Sequence, residues 1–178
     1  LTVARDRRVY VGGAFTTIAG QTRNHLAAFD LATRTLASWN PGADADVLAL
    51  TSVTDTSNVT TIYAGGDFAN AGGQARSRVA AIDGASGLAL AGFVPGTTND
   101  SVLTLDANQN VLYVGGKFTT LAGASMPYLG RLDRLTGAID ATWAPAPDAL
   151  VRSVHVSNGL LYAGGGFTSI AGVPRAHV

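Results

Sequence analysis

One phrase occurs four times in this 178-residue chain and constrains its fold more than any other feature. It reads VYVGGAFTTIAG at 9–20, IYAGGDFANAGG at 62–73, LYVGGKFTTLAG at 112–123 and LYAGGGFTSIAG at 161–172. The paired glycines begin at residues 12, 65, 115 and 164, so the period is about 50 residues. A period of this length with short β segments is typical of a propeller blade or a comparable repeat.

Other residues recur at fixed distances from the paired glycines. A phenylalanine follows each pair, and a large aromatic residue closes each of the first three repeats. We predict a packing role for these positions, because glycine lets neighbouring backbones approach closely and aromatic rings fill the space between sheets. The positions are Gly12, Gly13, Phe15, Trp39, Gly65, Gly66, Phe68, Phe93, Gly115, Gly116, Phe118, Trp143, Gly164, Gly165 and Phe167.

Each repeat divides into four predicted strands. The first strand covers 47–53, 102–106 and 151–156; the second is the quoted phrase; the third covers 25–30, 78–83 and 128–133; and the fourth runs into the large aromatic residue. An Asp-x-x-Thr/Ser step ends the third strand at Asp30, Asp83 and Asp133, where the carboxylate is expected to cap backbone N–H groups of the turn.

The pattern predicts an all-β fold, a β-propeller of four-stranded antiparallel blades, as a single array over residues 1–178. The repeats span 1–46, 47–100, 101–149 and 150–178, and the last is incomplete, which gives about three and a half blades. The first repeat is expected to start inside a first strand, and the fourth to stop where its third strand begins. Three explanations stay open: further blades in a longer protein, a second copy of the chain, or a capping protein.

Composition supports the all-β prediction and excludes several functions. The chain has no glutamate, one lysine, twelve aspartates and 22 glycines, a mixture that favours turns and strands over exposed helices. Zero cysteines exclude disulfides and thiolate chemistry, and a net charge of zero argues against nucleic acid as a partner. No apolar run is long enough for membrane insertion.

The segments VYVGGAFTTIAGQTRNHLAAFD and IYAGGDFANAGGQARSRVAAID resemble the bacterial delta-sixty repeat β-propeller family, and the resemblance covers nearly the whole chain. Met126 stands where that family's pattern has arginine, and Phe93 where it has tryptophan. The resemblance implies a propeller module of secreted or surface-attached proteins, with no catalytic residues and no cofactor. Kelch repeats and quinoprotein propellers are more distant resemblances, and Arg34 replaces the glycine of the quinoprotein motif.

Two columns of polar residues are candidates for a binding patch on the rim of the propeller. His25, Arg78, Tyr128 and His177 precede the third strand, and Arg23, Arg76 and Arg175 form the second column. Loop positions on a rigid scaffold are frequent binding sites, and arginine suits anionic or sugar ligands. The alternatives are solvated loop ends for the first column and pairing within the same repeat for the arginines.

Three aspartates near the start of the innermost strands are the only metal candidates. Asp46, Asp100 and Asp148 offer the oxygen ligands that Ca²⁺ takes, but Asp148 is two residues out of register, so no metal is assigned. No catalytic motif is recognisable in the sequence. His155, within a first strand, is interpreted as a packed or channel-facing residue.

The expected function is that of a non-catalytic module outside the cell or at its surface, which acts as a scaffold or binds a protein or a glycan. One alternative is part of a carbohydrate-active propeller enzyme, namely a lyase, hydrolase or oxidase. The other is a structural subunit that neighbouring chains complete, either by self-association or by additional blades. An enzyme predicts titratable side chains that converge on one pocket, and a binding module predicts aromatic and arginine side chains at a surface.

Overall fold

The structure, a computed structural model, describes residues 1–177 and consists there of β-strands joined by turns. Among these residues no helix is long and apolar enough to cross a membrane. The strands are β1 Thr2–Val3, β2 Arg8–Gly12, β3 Thr17–Ile18, β4 Gln21–Thr22, β5 Leu26–Asp30, β6 Thr35–Leu36, β7 Val47–Thr54, β8 Thr60–Gly66, β9 Asn70–Ala71, β10 Gln74–Ala75, β11 Val79–Asp83, β12 Val102–Ala107, β13 Val111–Gly116, β14 Thr120–Leu121, β15 Ala124–Ser125, β16 Leu129–Asp133, β17 Val151–Ser157, β18 Leu160–Gly165, β19 Ser169–Ile170 and β20 Val173–Pro174.

Each sequence repeat forms its own small antiparallel sheet, and we number the repeats I to IV. The strand orders are β1-β2-β5-β6 in repeat I, β7-β8-β11 in repeat II, β12-β13-β16 in repeat III and β17-β18 in repeat IV. The fold is therefore all-β, as predicted. The predicted fourth strand is β6 in repeat I, but in repeats II and III it is only a single bridge, Ile82 to Ala89 or Leu132 to Ile139, so these two sheets have three strands.

The repeated phrase is one strand followed by a small hairpin, and not a single strand as predicted. The long strand ends at the paired glycines, and a separate two-stranded hairpin follows in every repeat, from β3-β4 to β19-β20. The tips of these hairpins have left-handed backbone, as at Ala19 (φ 49°) and Gly20 (φ 73°). The last glycine of the phrase is thus a turn residue, which supplies a positive φ at little steric cost.

One column of residues, which precedes the third strand in repeats I to III, has a left-handed backbone in all four repeats. The φ angles are 64° at His25, 63° at Arg78, 63° at Tyr128 and 69° at His177. Two backbone hydrogen bonds fix each of them; for Arg78, its N–H donates to the Phe68 carbonyl and its carbonyl accepts from the Gly66 N–H. This column therefore returns the chain from the hairpin to the sheet.

The turn that ends each third strand is capped as predicted. In repeat III, Asp133 Oδ1 accepts the N–H groups of Leu135 and Thr136, at 3.0 and 2.8 Å. Asp30 and Asp83 make the equivalent bonds in the other two repeats. These hydrogen bonds lower the pKa of all three carboxyl groups.

The first glycine of each pair is the point where consecutive repeats touch. A Cβ on Gly65 would lie 2.5 Å from Cγ1 of Val102, which begins the next sheet. The same relation holds between Gly12 and Val47 at 2.5 Å, and between Gly115 and Val151 at 2.9 Å. In repeats I to III the first glycine of the pair therefore allows the next sheet to approach closely, because a Cβ there would collide with the valine.

In repeats I and II, a tyrosine of the second strand contacts the next repeat at the interface. Tyr10 packs edge-to-face on Trp39, with centroids 4.9 Å apart, and its hydroxyl donates to Asp6 Oδ2 at 2.5 Å and lies 3.1 Å from the carbonyl of Gly84 in the next repeat. Tyr63 repeats this arrangement with Phe93 (5.8 Å) and the Arg134 carbonyl (2.9 Å). The large aromatic residues that close the repeats thus support the interfaces, because they hold the tyrosine rings in place.

Three apolar cores lie between the sheets, one for each pair of consecutive repeats. The outward face of repeat IV has no such cover in the part of the chain that the structure describes. There Leu160 is 60% exposed and Tyr162 is 51% exposed, whereas the equivalent Tyr10 and Tyr63 are buried. The same sequence position is therefore core in two repeats and surface in the fourth.

Candidate functional site

The rim column lies where the third strands begin, and its side chains differ from repeat to repeat. His25 Nδ1 lies 3.0 Å from the Gly13 carbonyl and 3.5 Å from Asp46 Oδ1. Arg78 donates to the Thr98 carbonyl at 2.8 Å. Tyr128 is half-buried and His177 is exposed. A binding role for these four residues stays a prediction.

The arginine column makes contacts within its own repeat. Arg76 is 8% exposed and donates to the carbonyls of Ala75 and Leu90. Arg23 donates to the carbonyls of Thr22 and Ala37, the last of which is the position equivalent to Leu90. Arg175, the exposed member, donates to the Pro174 carbonyl. In the structure Arg23 and Arg76 therefore attach the fourth segment to its own sheet, and a binding role for the arginine column stays a prediction.

The three aspartates considered as metal ligands occupy three different positions. Asp46 lies beside His25, Asp100 accepts the Ser101 N–H, and Asp148 accepts the N–H groups of Thr168 and Ser169. Within residues 1–177 no group of three or more histidine, aspartate or other ligating side chains is placed to hold a metal ion. The structure does not bring these carboxylates together.

Asp148 belongs to a capping column that the sequence analysis missed. Asp44 accepts the N–H groups of Ala69 and Asn70, and Asn99 accepts those of Thr119 and Thr120. Each of these three residues lies three positions before the valine that begins an inner strand. Each side chain accepts backbone N–H groups at the start of the small hairpin. The column is not recognisable as a row of carboxylates in the sequence, because its second member, Asn99, is an amide.

Acidification is expected to remove the contribution of Asp148 to stability. Hydrogen bonds from the Thr168 hydroxyl and from the Ser169 and Thr168 N–H groups lower its pKa from 3.8 to about 2. A lowered folded-state pKa means that the charged form stabilises the fold above pH 4, and that this contribution is lost as the pH falls towards 2. Asp148→Asn keeps the acceptor, as Asn99 does, without the charge.

We therefore expect wild type to have a higher Tm than Asp148→Asn at pH 5–7, and the difference to shrink steadily between pH 4 and pH 2. Thermal unfolding followed by circular dichroism at fixed ionic strength measures it. A Tm difference that is the same at every pH would contradict this assignment.

A row of polar side chains crosses the innermost strands at one level. Thr2, Thr51, Asp106 and His155 are the strand partners of the four recurring tyrosines. Asp106 connects most of this row, because Oδ1 accepts from Thr51 at 3.4 Å, and Oδ2 lies 3.1 Å from His155 Nδ1 and accepts the Val156 N–H at 2.8 Å.

The row also covers an unpaired strand edge. The N–H groups of Val154 and Val156 point away from β18, and the side chains of Thr104 and Asp106 accept them. Paired edges resist unwanted association. His155, whose side chain is 70% exposed, extends the row to the surface, so it is not a packed residue, and its interpretation as a channel-facing residue stays a prediction. Its contact with Asp106 is part of the interface between repeats III and IV.

One site departs from the repeat pattern, on the sheet of repeat III. The residue across from the recurring tyrosine is Ala28 in repeat I and Ala81 in repeat II, and both are fully buried. In repeat III it is Arg131. The backbone carbonyl of this residue accepts an N–H from the fourth segment of the same repeat. The donor is Ala37 in repeat I, Leu90 in repeat II and Asp140 in repeat III. An apolar pair has thus become an ion pair.

The Arg131–Asp140 pair is held rigidly. The Nε and one terminal nitrogen of Arg131 donate to Asp140 Oδ2 at 2.9 and 2.6 Å. The guanidinium lies over the ring of Trp143, 5.3 Å from its centroid, and Tyr113 packs edge-to-face on the same tryptophan. The hydroxyl of Thr142 donates to Asp140 Oδ1 and, together with Arg131, lowers the pKa of Asp140 to about 2, so the carboxylate stays charged.

The pair borders a groove of about 430 Å³, open to solvent. Its apolar lining residues are Val111, Leu132, Ala138 and Ile139, of which Leu132 is fully buried, and its polar lining residues are Asn110, Arg131, Asp133 and Asp140. Arg131 keeps N–H donors that Asp140 does not use. The groove therefore combines apolar surface with fixed donors and acceptors, which is the composition of small-molecule sites.

Comparison with known proteins supports the fold and adds no activity. The sequence model of a family described as a beta-propeller domain of unknown function (DUF5122) matches residues 4–29. This segment includes the first copy of the Gly-Gly-x-Phe phrase and most of the third strand of repeat I. No curated protein matches the chain. The chain is therefore similar, over this segment, to a β-propeller repeat family.

Proposed function

We propose that the chain is part of a delta-sixty-type β-propeller, about three and a half blades of it, that binds glycans outside the cell without catalysis. The observation that supports this proposal is the groove of repeat III. There a rigid arginine–aspartate pair on a tryptophan replaces residues that are apolar in the two preceding repeats.

The rest of the molecule suits the role of a scaffold. The interfaces between repeats use the same glycine–valine contact three times, and in two of them a tyrosine hydroxyl also lies against a carbonyl of the next repeat, at 3.1 and 2.9 Å. Repeated contacts of this kind hold the sheets in a fixed relation. A rigid support keeps recognition side chains at defined distances, which lowers the entropy cost of binding.

The test combines binding with turnover on the same substrates. The chain is run on native gels that contain cellulose derivatives, xylan, glucomannan or polygalacturonate, and each polysaccharide is also incubated with the chain and assayed for new reducing ends and for unsaturated products. We expect retarded migration with at least one neutral polysaccharide and no product with any of them. Product release would contradict the non-catalytic role, and unchanged migration in every gel would contradict glycan binding.

A further inference from the structure

We propose that the groove beside Arg131 and Asp140 is a binding site for a neutral saccharide. This inference rests on the proposed function, because it assigns glycan binding to one surface and one class of ligand. The surface is defined by Asn110, Val111, Arg131, Leu132, Asp133, Ala138, Ile139 and Asp140.

The ion pair replaces an attachment that an arginine makes in two other repeats. Arg23 and Arg76 hold the fourth segment there, and Met126 stands at their position in repeat III, where the Arg131–Asp140 pair joins that segment to the sheet. The pair differs from the arginine attachment in its exposure, because Arg76 is buried, whereas the side chains of Arg131 and Asp140 are 30% and 34% exposed beside the groove. Arg131 therefore keeps N–H groups that a ligand can reach.

The geometry suits hydroxyl groups. Asp140 uses one oxygen to hold Arg131 and the other to accept from Thr142, which fixes the guanidinium plane above Trp143. The free N–H groups of Arg131 then present planar donors, and the second carboxylate oxygen of Asp133 and the amide of Asn110 add further polar groups to the lining. A sugar ring has hydroxyls at its edge and C–H groups on its face, which suit a lining that combines these polar groups with the accessible apolar side chains of Val111 and Ala138.

The charges in the groove select against anionic ligands. Arg131 is the one cationic side chain in its lining, and Asp133 and Asp140 are both anionic. Both aspartates have lowered pKa values, so both are charged at neutral pH. A carboxylated or sulfated sugar would therefore meet net repulsion, and a neutral saccharide would not.

A double alanine variant tests this site, because repeat I already has alanine at both positions. Arg131→Ala with Asp140→Ala restores the pair found in repeat I at Ala28 and Ala37, and it leaves no unpaired charge. Folding is checked by circular dichroism and Tm. The rim variant His25→Asn, Arg78→Asn and Tyr128→Asn is the matched control, because asparagine tolerates the left-handed backbone that these positions require.

Binding is measured by titration calorimetry with cellohexaose, xylohexaose and mannohexaose, and with hexagalacturonate as the anionic probe. We expect one neutral hexasaccharide to bind with one site per chain, the Arg131/Asp140 double variant to bind it at least tenfold more weakly, and the rim variant to bind it unchanged. Hexagalacturonate is expected to bind at least tenfold more weakly than the best neutral probe.

Equal binding by wild type and the double variant would overturn the groove assignment, as would tighter binding of the anionic probe. If the rim variant alone loses binding, the groove assignment fails while the proposed glycan-binding function stands. If no hexasaccharide binds but the polysaccharide gels still show retardation, the groove assignment fails in the same way. If neither experiment shows an interaction, the proposed function itself is contradicted.

Discussion

Gly66→Ala is expected to lower the free energy of unfolding by about 3 kcal/mol or more, the upper range for overpacking a dense interior. A Cβ at this position would lie 2.0 Å from the carbonyl oxygen of Asp46, and that oxygen accepts the N–H of Asp67. The clash involves backbone on both sides, so no rotamer change relieves it. Urea unfolding followed by tryptophan fluorescence measures the loss.

Two further glycine-to-alanine variants test whether the backbone clash causes the loss of stability. Gly116→Ala meets the Ser101 carbonyl at 2.2 Å and should be destabilised like Gly66→Ala, because it is the same position one repeat later. Gly92→Ala has its nearest neighbour at 3.9 Å and no left-handed backbone, so its free energy of unfolding should stay within about 0.5 kcal/mol of wild type. Similar losses in all three variants would contradict the clash as the cause.

Phe118→Ala is expected to cost about 3–5 kcal/mol of unfolding free energy, the usual range for removing a buried aromatic ring. The Phe118 ring has no exposed surface and packs among the apolar residues between repeats II and III. Its removal leaves a cavity in contact with two sheets. Chemical unfolding monitored by circular dichroism gives the free energy directly.

Phe15 is the matched control, because it occupies the same position of the phrase in repeat I but is only half-buried. Phe15→Ala removes the same atoms and should cost less than half as much, since solvent already reaches part of the ring. Equal costs for the two variants would show that burial in the interface does not set the contribution of this phenylalanine.

The recurring phrase was enough to predict the β-sheets and the packing role of the glycines, because stacking one sheet on the next requires the same small residue each time. It was not enough to predict the hairpin inside the phrase. Strands of two residues, such as β9 and β10, are held by their turn and leave too short a pattern of alternation to recognise.

The groove of repeat III was missed for a different reason. Its signal is in the sequence: the third strand ends AAFD in repeat I, AAID in repeat II and GRLD in repeat III, so Arg131 is visible as an exception. Asp140 is in the fourth segment, for which the sequence predicted no register. Only the structure shows that Asp140 pairs with Arg131 and that both lie beside Trp143.

The left-handed column at residues 25, 78, 128 and 177 has a consequence for how this chain tolerates change. Its geometry is set by backbone hydrogen bonds to the Gly-Gly-x-Phe segment, and the four side chains there are histidine, arginine, tyrosine and histidine. The backbone thus fixes the position of the side chain in each repeat, while the residue type differs between repeats. Substitutions at these four positions are therefore expected to change the chemistry of the rim while the backbone hydrogen bonds keep the sheets beneath in place.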